Sequence, residues 1–386
     1  MKKKIDNNIS GYIEGYYGKL LTWESRKLII KSLNKNEMNT YFYAPKEDKK
    51  HRLNWRNPYN LRWRQNFRRF SKFCNDNDIN LIAGIAPGLD FDFKKFELLK
   101  DKSKDFILLL AKAKQLLDDG AKYISLMLDD IPDNFKIKFG SHLSEGIAHG
   151  LLANTLSKKL NQNIFFVPRI YADELIKSNP TYLKNLSSVL HKKIKVFYCG
   201  KNIISKKEIA FSKINNLLDN EIVFWDNYYS NDYCPRRLFI GPYIGREGSK
   251  NVMINPTGLI KTDLLILDIV GSSIFKKNSK NDWQKILNNH GVPVIFKTLK
   301  KFYLKPAFGP NPKIKETNFQ NKYIEVIDFL LWKWKSELSR EWYPFLFGLK
   351  HDLQLLQNKL TSERLIKTQT VPLSEHINKS IKEGEI

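Results

Sequence analysis

Eight short apolar segments, separated by amphipathic stretches, constrain what this chain can fold into. Each segment is rich in β-branched or aromatic residues, which is typical of strands that are covered on both faces. A helical pattern or a long connection follows each one, so we predict an α/β fold, a (β/α)8 TIM barrel spanning residues 9–276. The segments are 10–15, 39–45, 80–88, 123–130, 164–170, 194–200, 221–227 and 251–256.

A doubly wound open sheet is the alternative that the same alternation allows. Such a sheet usually carries a glycine-rich phosphate-binding loop after its first strand. The corresponding segment here, EGYYGKLLTW, lacks the GxGxxG spacing. The barrel is therefore the favoured architecture.

Helix signals support the alternation and extend beyond it. Thr22 is a predicted N-cap for a helix over 22–33, and Gly120 is a predicted C-terminal glycine for a helix over 103–120. Residues 280–365 have a helical pattern rich in Trp, Leu and Lys, which predicts a helical appendage. We expect the polar residues 366–386 to form a flexible tail.

The chain is strongly basic, with 65 Lys and Arg against 40 Asp and Glu, a net charge of +25. Such a balance can indicate a nucleic-acid partner. Segment 51–70, with six arginines between aromatic residues, could stack single-stranded bases. The lysines are scattered, however, and aromatic residues at helical spacing usually pack a helix on its neighbour. We therefore do not expect a nucleic-acid partner.

Other sequence features concern compartment and cofactors. Cys74, Cys199 and Cys234 form no CxxC pair, which argues against a disulfide framework and a zinc site. MKKKIDNNIS lacks the apolar stretch of a secretory signal, and no apolar run approaches the ~20 residues that span a bilayer. We expect a cytoplasmic protein without a membrane partner, metal or organic cofactor.

Polar side chains follow the predicted strands at their C-terminal ends, where barrels of this type carry their active sites. Carboxylates, amides, a lysine and aromatic rings should meet there, with no Cys or His among them. This set suits a neutral, hydroxyl-rich ligand with apolar ring faces, namely a sugar. The residues are Glu14–Gly18, Lys46–Asp48, Asp129, Asp130, Arg169, Tyr171, Trp225–Asn227, Asp232 and Asn255.

Asp129 and Asp130 are adjacent at the end of the most apolar predicted strand. Sugar hydrolysis commonly needs one protonated and one ionised carboxyl group. Two carboxylates about 4 Å apart repel by roughly 1–4 kcal/mol, so we expect adjacency to raise the pKa of one of them. The alternative is a structural loop or cap pair, as we predict for Asp118 and Asp119.

Seven segments between residues 9 and 257 resemble family 84 of the glycoside hydrolases, in the family's own order. That family contains O-GlcNAcases and bacterial β-N-acetylglucosaminidases, some of them labelled hyaluronidases. The segments are GYIEGYYG, NTYFYAPKEDKKHRLNWR, APGLDF, LMLDDI, FWDNYYSNDY, LFIGPY and INP.

The resemblance implies a retaining exo-β-N-acetylglucosaminidase with substrate-assisted catalysis through an oxazoline intermediate. Asp129 would orient the substrate's acetamido group, and Asp130 would act as the acid and then the base. The substrate would be a GlcNAc-bearing glycoconjugate or glycoprotein, with O-GlcNAc removal from proteins as one possibility. Two alternatives stay open: the same chemistry on cell-wall or glycosaminoglycan fragments, and a non-catalytic GlcNAc-binding module.

The resemblance also implies the residues that would bind the sugar. Lys46 and the Gly15 backbone would meet hydroxyl groups, with Tyr17 beside them. Tyr171 and Trp225 would form the acetamido pocket. The ring and its remaining hydroxyls would contact Asn227, Asp232 and Asn255.

Two segments depart from the family pattern. Pro168-Arg169-Ile170-Tyr171 stands where PTEY or PTQY is usual, and Tyr198-Cys199-Gly200 replaces WTG. These changes concern the wall that faces the leaving group. One hypothesis is that Arg169 favours an acidic aglycone. We expect His51 and Arg52 to brace the loop after the second strand rather than touch the sugar.

Overall fold

In a computed structural model, eight parallel strands close into one barrel in chain order, which confirms the predicted (β/α)8 architecture. The structure describes residues 8–135, 142–205, 212–233, 237–275, 279–303 and 317–356. The strands are β1 (Ser10–Glu14), β2 (Thr40–Tyr43), β3 (Asn80–Ile85), β4 (Tyr123–Met127), β5 (Phe165–Val167), β6 (Lys195–Tyr198), β7 (Ile222–Asp226) and β8 (Val252–Ile254).

The hydrogen-bonded strands end earlier than the apolar segments that predicted them. β2 ends three residues before Lys46, and β4 ends two residues before Asp129. Apolar composition indicates which residues are buried, whereas strand pairing ends earlier, where the chain turns toward the barrel mouth. Lys46 and Asp129 thus lie beyond the last paired residues of their strands.

The barrel interior is filled by side chains, as expected for eight strands. Aromatic rings from different strands meet at its centre. Phe42 and Phe197 stack with ring centroids 5.1 Å apart, and Phe165 lies 5.6 Å from Phe197. Ile13, Ile82, Met127, Val223 and Met253 belong to the same buried cluster.

Helices surround the barrel, and the two predicted cap residues lie at helix ends as the sequence indicates. The Thr22 hydroxyl accepts a hydrogen bond from the Ser25 amide and caps the first helix, and Gly120 follows the fourth with a φ of +104°. The helices of this part are α1 (Trp23–Lys35), α2 (Leu61–Asp76), α3 (Phe93–Leu99), α4 (Lys104–Asp118), α5 (Glu145–Leu160), α6 (Tyr182–Ser187), α7 (Ser212–Asn215) and α8 (Ile260–Phe275).

The basic aromatic segment 51–70 is helical only from Leu61 onward; residues 51–57 form turns and a bend, and 58–60 lead into the helix. Phe67 and Phe70 of α2 are buried, and the Phe70 ring lies 5.4 Å from Tyr41 of β2. Arg64 and Arg68 bind the Asp119 carboxylate at 2.7 and 2.6 Å. The prediction of an aromatic face packed on the barrel is confirmed. Asp119 lies at the C-cap of α4, as predicted for a structural acid pair.

The chain divides into two compact units, Met1–Tyr233 with Pro242–Trp283, and Cys234–Gly241 with Gln284–Ile386. The second contains α10 (Lys300–Tyr303), α11 (Thr317–Trp332) and α12 (Glu337–Leu356), while α9 is Ser279–Asn289. The Lys350–Asp328 ion pair, at 2.6 Å, joins α12 to α11. Helices are thus present in the C-terminal region, and the expected tail 366–386 lies outside the described residues. Over the described ranges, no helix has the length and apolar character needed to cross a membrane.

Candidate active site

Asp129 and Asp130 follow β4 at the C-terminal mouth of the barrel, where the sequence predicts them. The Asp129 side chain is 6% exposed and that of Asp130 is 30% exposed. Asp130 has a φ of +53°, in the left-handed region that Asp tolerates better than most residues. Consecutive residues of an extended chain point to opposite faces. The turn at Asp130 instead brings both carboxylates to one cation.

That cation is Lys46, which follows β2. Its buried ammonium donates a hydrogen bond to the Oδ2 atom of Asp129 and lies 3.5 Å from Oδ2 of Asp130. Burial alone would lower the pKa of Lys46, but the two carboxylates outweigh it and raise that pKa above its ordinary value. The lysine is therefore held charged between the two acids.

Two tyrosines complete the surroundings of Asp130. The Tyr171 hydroxyl donates to Oδ1 at 2.8 Å, and the Tyr17 hydroxyl donates to Oδ2 at 2.9 Å. Burial would raise the pKa of Asp130, yet Lys46, both hydroxyls and Arg52 together lower it. The expectation that adjacency raises a carboxyl pKa is therefore wrong for Asp130 in this arrangement, because a shared cation lies between the two acids.

Asp129 keeps one oxygen uncommitted. Its Oδ2 atom binds Lys46, whereas its buried Oδ1 atom has no hydrogen-bond partner among the described residues. A buried carboxylate oxygen without a donor costs free energy. It is therefore an acceptor ready for an N–H or O–H group of a bound molecule.

Trp225 forms an apolar wall beside the β1 end. A Cβ atom added to Gly15 would lie 2.6 Å from Cζ2 of the Trp225 ring, so only glycine allows this approach. The ring also packs edge-on against Phe42 and Phe197, at centroid distances of 5.9 and 5.8 Å. The position and plane of the indole are therefore fixed by the barrel core.

A chain of amides links Trp225 to β8. The Trp225 indole N–H donates to Oδ1 of Asn227 at 2.9 Å, and the Asn255 amide donates to the same oxygen at 2.9 Å. Oδ1 of Asn255 accepts from the Gly15 backbone N–H at 3.1 Å. Asn227 also donates to the Ile203 carbonyl at 3.0 Å. These amides fix the three strand ends to one another.

Asp232 joins the site through the loop after β1. Its Oδ2 atom accepts from the Tyr17 backbone N–H at 2.9 Å, and its Oδ1 atom accepts from the Tyr233 N–H at 3.0 Å. The residues that the sequence predicts therefore fall into connected sets at one mouth. The first set is joined by hydrogen bonds and an ion pair and contains Lys46, Asp129, Asp130, Tyr17 and Tyr171. The second set is joined by hydrogen bonds and a close ring contact and contains Gly15, Trp225, Asn227 and Asn255.

Other residues expected at the mouth have structural partners instead. Glu14 is buried in a bidentate pair with Arg26, with both contacts at 2.8 Å. Asp226 is buried against Arg246 at 2.9 Å. Asp48 accepts hydrogen bonds from the hydroxyls of Tyr43 and Tyr59, at 2.6 and 2.8 Å. Their positions at strand ends did not distinguish them from site residues.

Arg169 is buried and bound to a carboxylate. It is 6% exposed and forms two hydrogen bonds with the buried carboxylate of Glu145, at 2.5 and 2.8 Å. It also donates to the Ser178 hydroxyl at 3.0 Å. The hypothesis that Arg169 selects an acidic aglycone is therefore not supported, because its charge is already neutralised inside the fold.

Arg52, which we expected only to brace the loop after the second strand, also contacts residues of the candidate site. Its guanidinium donates to the Tyr17 hydroxyl at 2.8 Å and to the Asp130 backbone carbonyl at 2.6 Å. Within the described ranges, no group of three or more His, Cys, Asp or Glu side chains is arranged to hold a metal ion.

Comparisons with known proteins show the family. A family model described as beta-N-acetylglucosaminidase matches residues 10–261, more than half of the chain. Protein O-GlcNAcase of Mus musculus is 30% identical over 263 residues, which cover 64% of this chain and 28% of that protein. Protein O-GlcNAcase of Rattus norvegicus matches to the same extent. The match thus spans less than a third of each relative. The chain belongs to the beta-N-acetylglucosaminidase family of glycoside hydrolases, as the sequence motifs predict.

Proposed function

We propose that this protein is a retaining exo-β-N-acetylglucosaminidase that removes terminal GlcNAc through an oxazoline intermediate formed by the substrate itself. One observation carries the proposal: Oδ1 of Asp129 is buried without a hydrogen-bond partner among the described residues, beside the more exposed Asp130. The acetamido N–H of GlcNAc is a donor that this oxygen could accept. The acetamido oxygen of the substrate then acts as the nucleophile, so the protein needs no carboxylate nucleophile.

In the first step, the acetamido oxygen attacks the anomeric carbon and the bond to the aglycone oxygen breaks. Asp129 accepts a hydrogen bond from the acetamido N–H. Its negative charge stabilises the positive charge that develops on the oxazoline ring. The Lys46 ammonium donates a hydrogen bond to the other oxygen of Asp129 and adds positive charge beside it. Asp130 gives its proton to the departing oxygen.

In the second step, water attacks the anomeric carbon and the carbon–oxygen bond of the oxazoline breaks. Asp130, now ionised, takes the proton from this water. Two displacements at one carbon retain its configuration. Tyr17 and Tyr171, which donate to Asp130, stabilise the ionised form that the second step requires.

The first step needs a proton on Asp130, whose pKa is lowered by its neighbours. Burial is already the largest single influence on that carboxyl and acts in the opposite direction, raising the pKa. A sugar that covers the exposed 30% of the side chain would extend this burial. Substrate binding would thus favour the protonated acid.

The residues at the mouth and the family support a substrate class. Tyr171, which contacts Asp130, and Trp225, which lies against Gly15, belong to one apolar cluster, and such surface suits the acetamido methyl group. The similar mammalian proteins are named protein O-GlcNAcase. We propose GlcNAc attached to a glycoprotein as the substrate, and hydrolysis of a GlcNAc-modified peptide would test the aglycone.

The reaction is tested by hydrolysis of aryl GlcNAc glycosides with wild type, Asp129→Asn and Asp130→Asn. We expect Asp130→Asn to spare glycosides with good leaving groups, because these need little protonation. Asp129→Asn should lose activity on all of them. Asp118→Asn is the matched control, since Asp118 is exposed and belongs to an adjacent acid pair outside the site.

Two outcomes would contradict the proposal. Equal losses from both variants on an activated leaving group would void the roles assigned to the two acids. A wild-type protein that binds GlcNAc without turnover would instead be a sugar-binding module. Proton NMR of the first-formed product would test retention directly.

A further inference from the structure

Arg52 contacts the candidate acid by two routes, one through a side chain and one through the backbone. It is 8% exposed, so its guanidinium is held inside the fold. One nitrogen donates to the Tyr17 hydroxyl oxygen at 2.8 Å, and the other donates to the Asp130 carbonyl at 2.6 Å. The fork of the guanidinium suits two acceptors at once, which a single ammonium group does not.

The first contact decides the direction of the Tyr17 hydroxyl. A guanidinium carries only donors, so the hydroxyl oxygen must accept from Arg52. Its one hydrogen is then available for Oδ2 of Asp130, 2.9 Å away. Without Arg52, the hydroxyl could turn and accept a hydrogen bond from a protonated Asp130 instead.

The second contact supports the backbone of Asp130. This residue has a φ of +53°, a conformation that is less favourable for non-glycine residues. Its carbonyl accepts a hydrogen bond from a buried cation, which stabilises the turn after Asp129. The carboxylate is thus held by its backbone as well as by its oxygens.

We propose that Arg52 is a positioning residue that sets the direction of the Tyr17 hydroxyl and holds the Asp130 backbone, so that Asp130 gives and takes its proton in one fixed place. The role in proton transfer rests on the proposed function. The arrangement of the three residues does not, and it can be measured without a substrate.

Several charged or titratable groups surround the Asp130 carboxyl. Lys46 lies 3.5 Å away and Asp129 is bound to the same lysine; Tyr171 and Tyr17 donate to the carboxylate, while Asp232 holds the Tyr17 backbone. Arg52 lowers the pKa of Asp130 together with Lys46 and the two hydroxyls. Removal of Arg52 takes away its charge and releases the Tyr17 hydroxyl, and both changes raise that pKa.

The carboxyl titration can be followed by carbon NMR on protein labelled at its aspartate carboxyl groups. Asp130 is assigned by the resonance that is lost in Asp130→Asn. We expect Asp130 to titrate at higher pH in Arg52→Gln than in wild type. Tyr17→Phe, the second variant, should also raise the midpoint, and Arg52→Gln should then add less in its background. Arg64→Gln is the control, because that arginine binds Asp119 outside the site.

An activity measurement separates positioning from a general loss of structure. On a glycoside with a poor leaving group, we expect Arg52→Gln to lose about tenfold or more in kcat/KM, since general acid catalysis contributes roughly 10²–10⁴-fold. The alkaline limb of its pH profile should move to higher pH. Glycosides with good leaving groups should lose less, and Arg52→Lys should restore part of the activity.

Unchanged Asp130 midpoints in both Arg52→Gln and Tyr17→Phe would overturn the inference. Equal losses on all leaving groups, with an unmoved alkaline limb, would also overturn it. A wild-type protein inactive on every GlcNAc glycoside would refute the proposed function instead, while the NMR titration would still decide the arrangement of Arg52.

Discussion

The Lys46 ammonium lies 3.5 Å from the Asp130 carboxylate while it also binds Asp129, so one cation serves two acids. We expect Lys46→Met to lower the free energy of unfolding by roughly 3–5 kcal/mol at pH 7, because it leaves two poorly hydrated carboxylates without their cation. Urea unfolding would measure this loss.

The same variant has a defined pH dependence. A carboxyl whose pKa is lowered by folding stabilises the protein above its unfolded pKa, and this contribution disappears as pH falls through the folded value. The difference between wild type and Lys46→Met should therefore shrink below about pH 4. Lys49→Met, at an exposed position of the same loop, is the control. A difference that stays constant from pH 7 to pH 3 would contradict the shared-cation interpretation.

Gly15→Ala should disturb the site without adding a polar group. The new Cβ atom would lie 2.6 Å from the Trp225 ring, which is held by Phe42 and Phe197 and cannot move freely. We expect kcat/KM to fall about 10–100-fold, because small displacements of positioning groups cost this much. Gly348→Ala is the control, since among the described residues no atom outside its own stretch of helix lies within 4 Å of its added Cβ. Full activity in Gly15→Ala would show that the indole position is unimportant.

Arg169→Met should affect stability rather than substrate choice. It leaves the buried Glu145 carboxylate without its arginine, and such a loss typically costs roughly 3–5 kcal/mol. The ratio of activities on neutral and anionic aryl glycosides should not change. Lys192→Met removes an exposed partner of Asp219 and should cost about 1 kcal/mol or less. A selective loss on anionic substrates would restore a role for Arg169 in recognising the aglycone.

Lys112 is a buried lysine whose ammonium donates to the backbone carbonyls of Asn57 and Lys50. Burial lowers its pKa to about 7, whereas an unfolded lysine has a pKa of about 10.4. Between these values the unfolded chain binds more protons, so stability rises with pH. The stability of wild type relative to Lys112→Met should rise from pH 7 to 9, by at most about 1.4 kcal/mol per pH unit.

Urea unfolding at several pH values would measure this rise. Lys114→Met, at an exposed position of the same helix, should run parallel to wild type throughout. Parallel curves for Lys112→Met would mean that Lys112 stays charged in the folded protein over this range.

The alternation of apolar segments was sufficient to predict all eight strands, because burial on both faces of a parallel sheet demands continuous apolar runs. It could not predict where each strand ends. The segment 123–130 contains a strand only to Met127, since the backbone of the last residues turns to present the acids. Hydrophobicity indicates burial rather than strand pairing. Asp129, which lies beyond the end of β4, is buried although it is polar.

The partners of charged residues were the part that local sequence could not reveal. Arg169 and its partner Glu145 are 24 residues apart in the sequence, and Glu14 pairs with Arg26 on the following helix. From the sequence, Glu14 and Arg169 were expected at the barrel mouth. The structure shows that both are buried in ion pairs within the fold. Position after a predicted strand, by contrast, was enough to expect Asp129, Asp130 and Lys46 close together, because the ends of parallel strands meet at one mouth.

The left-handed backbone at Asp130 limits which acid can occupy that position. Aspartate is among the few side-chain-bearing residues that enter this region at modest cost, and glutamate is not. Asp130→Glu would therefore change both the length of the side chain and the backbone conformation at this position. Chemistry and conformation select the same residue here, so homologous barrels with this turn should rarely exchange one acid for the other.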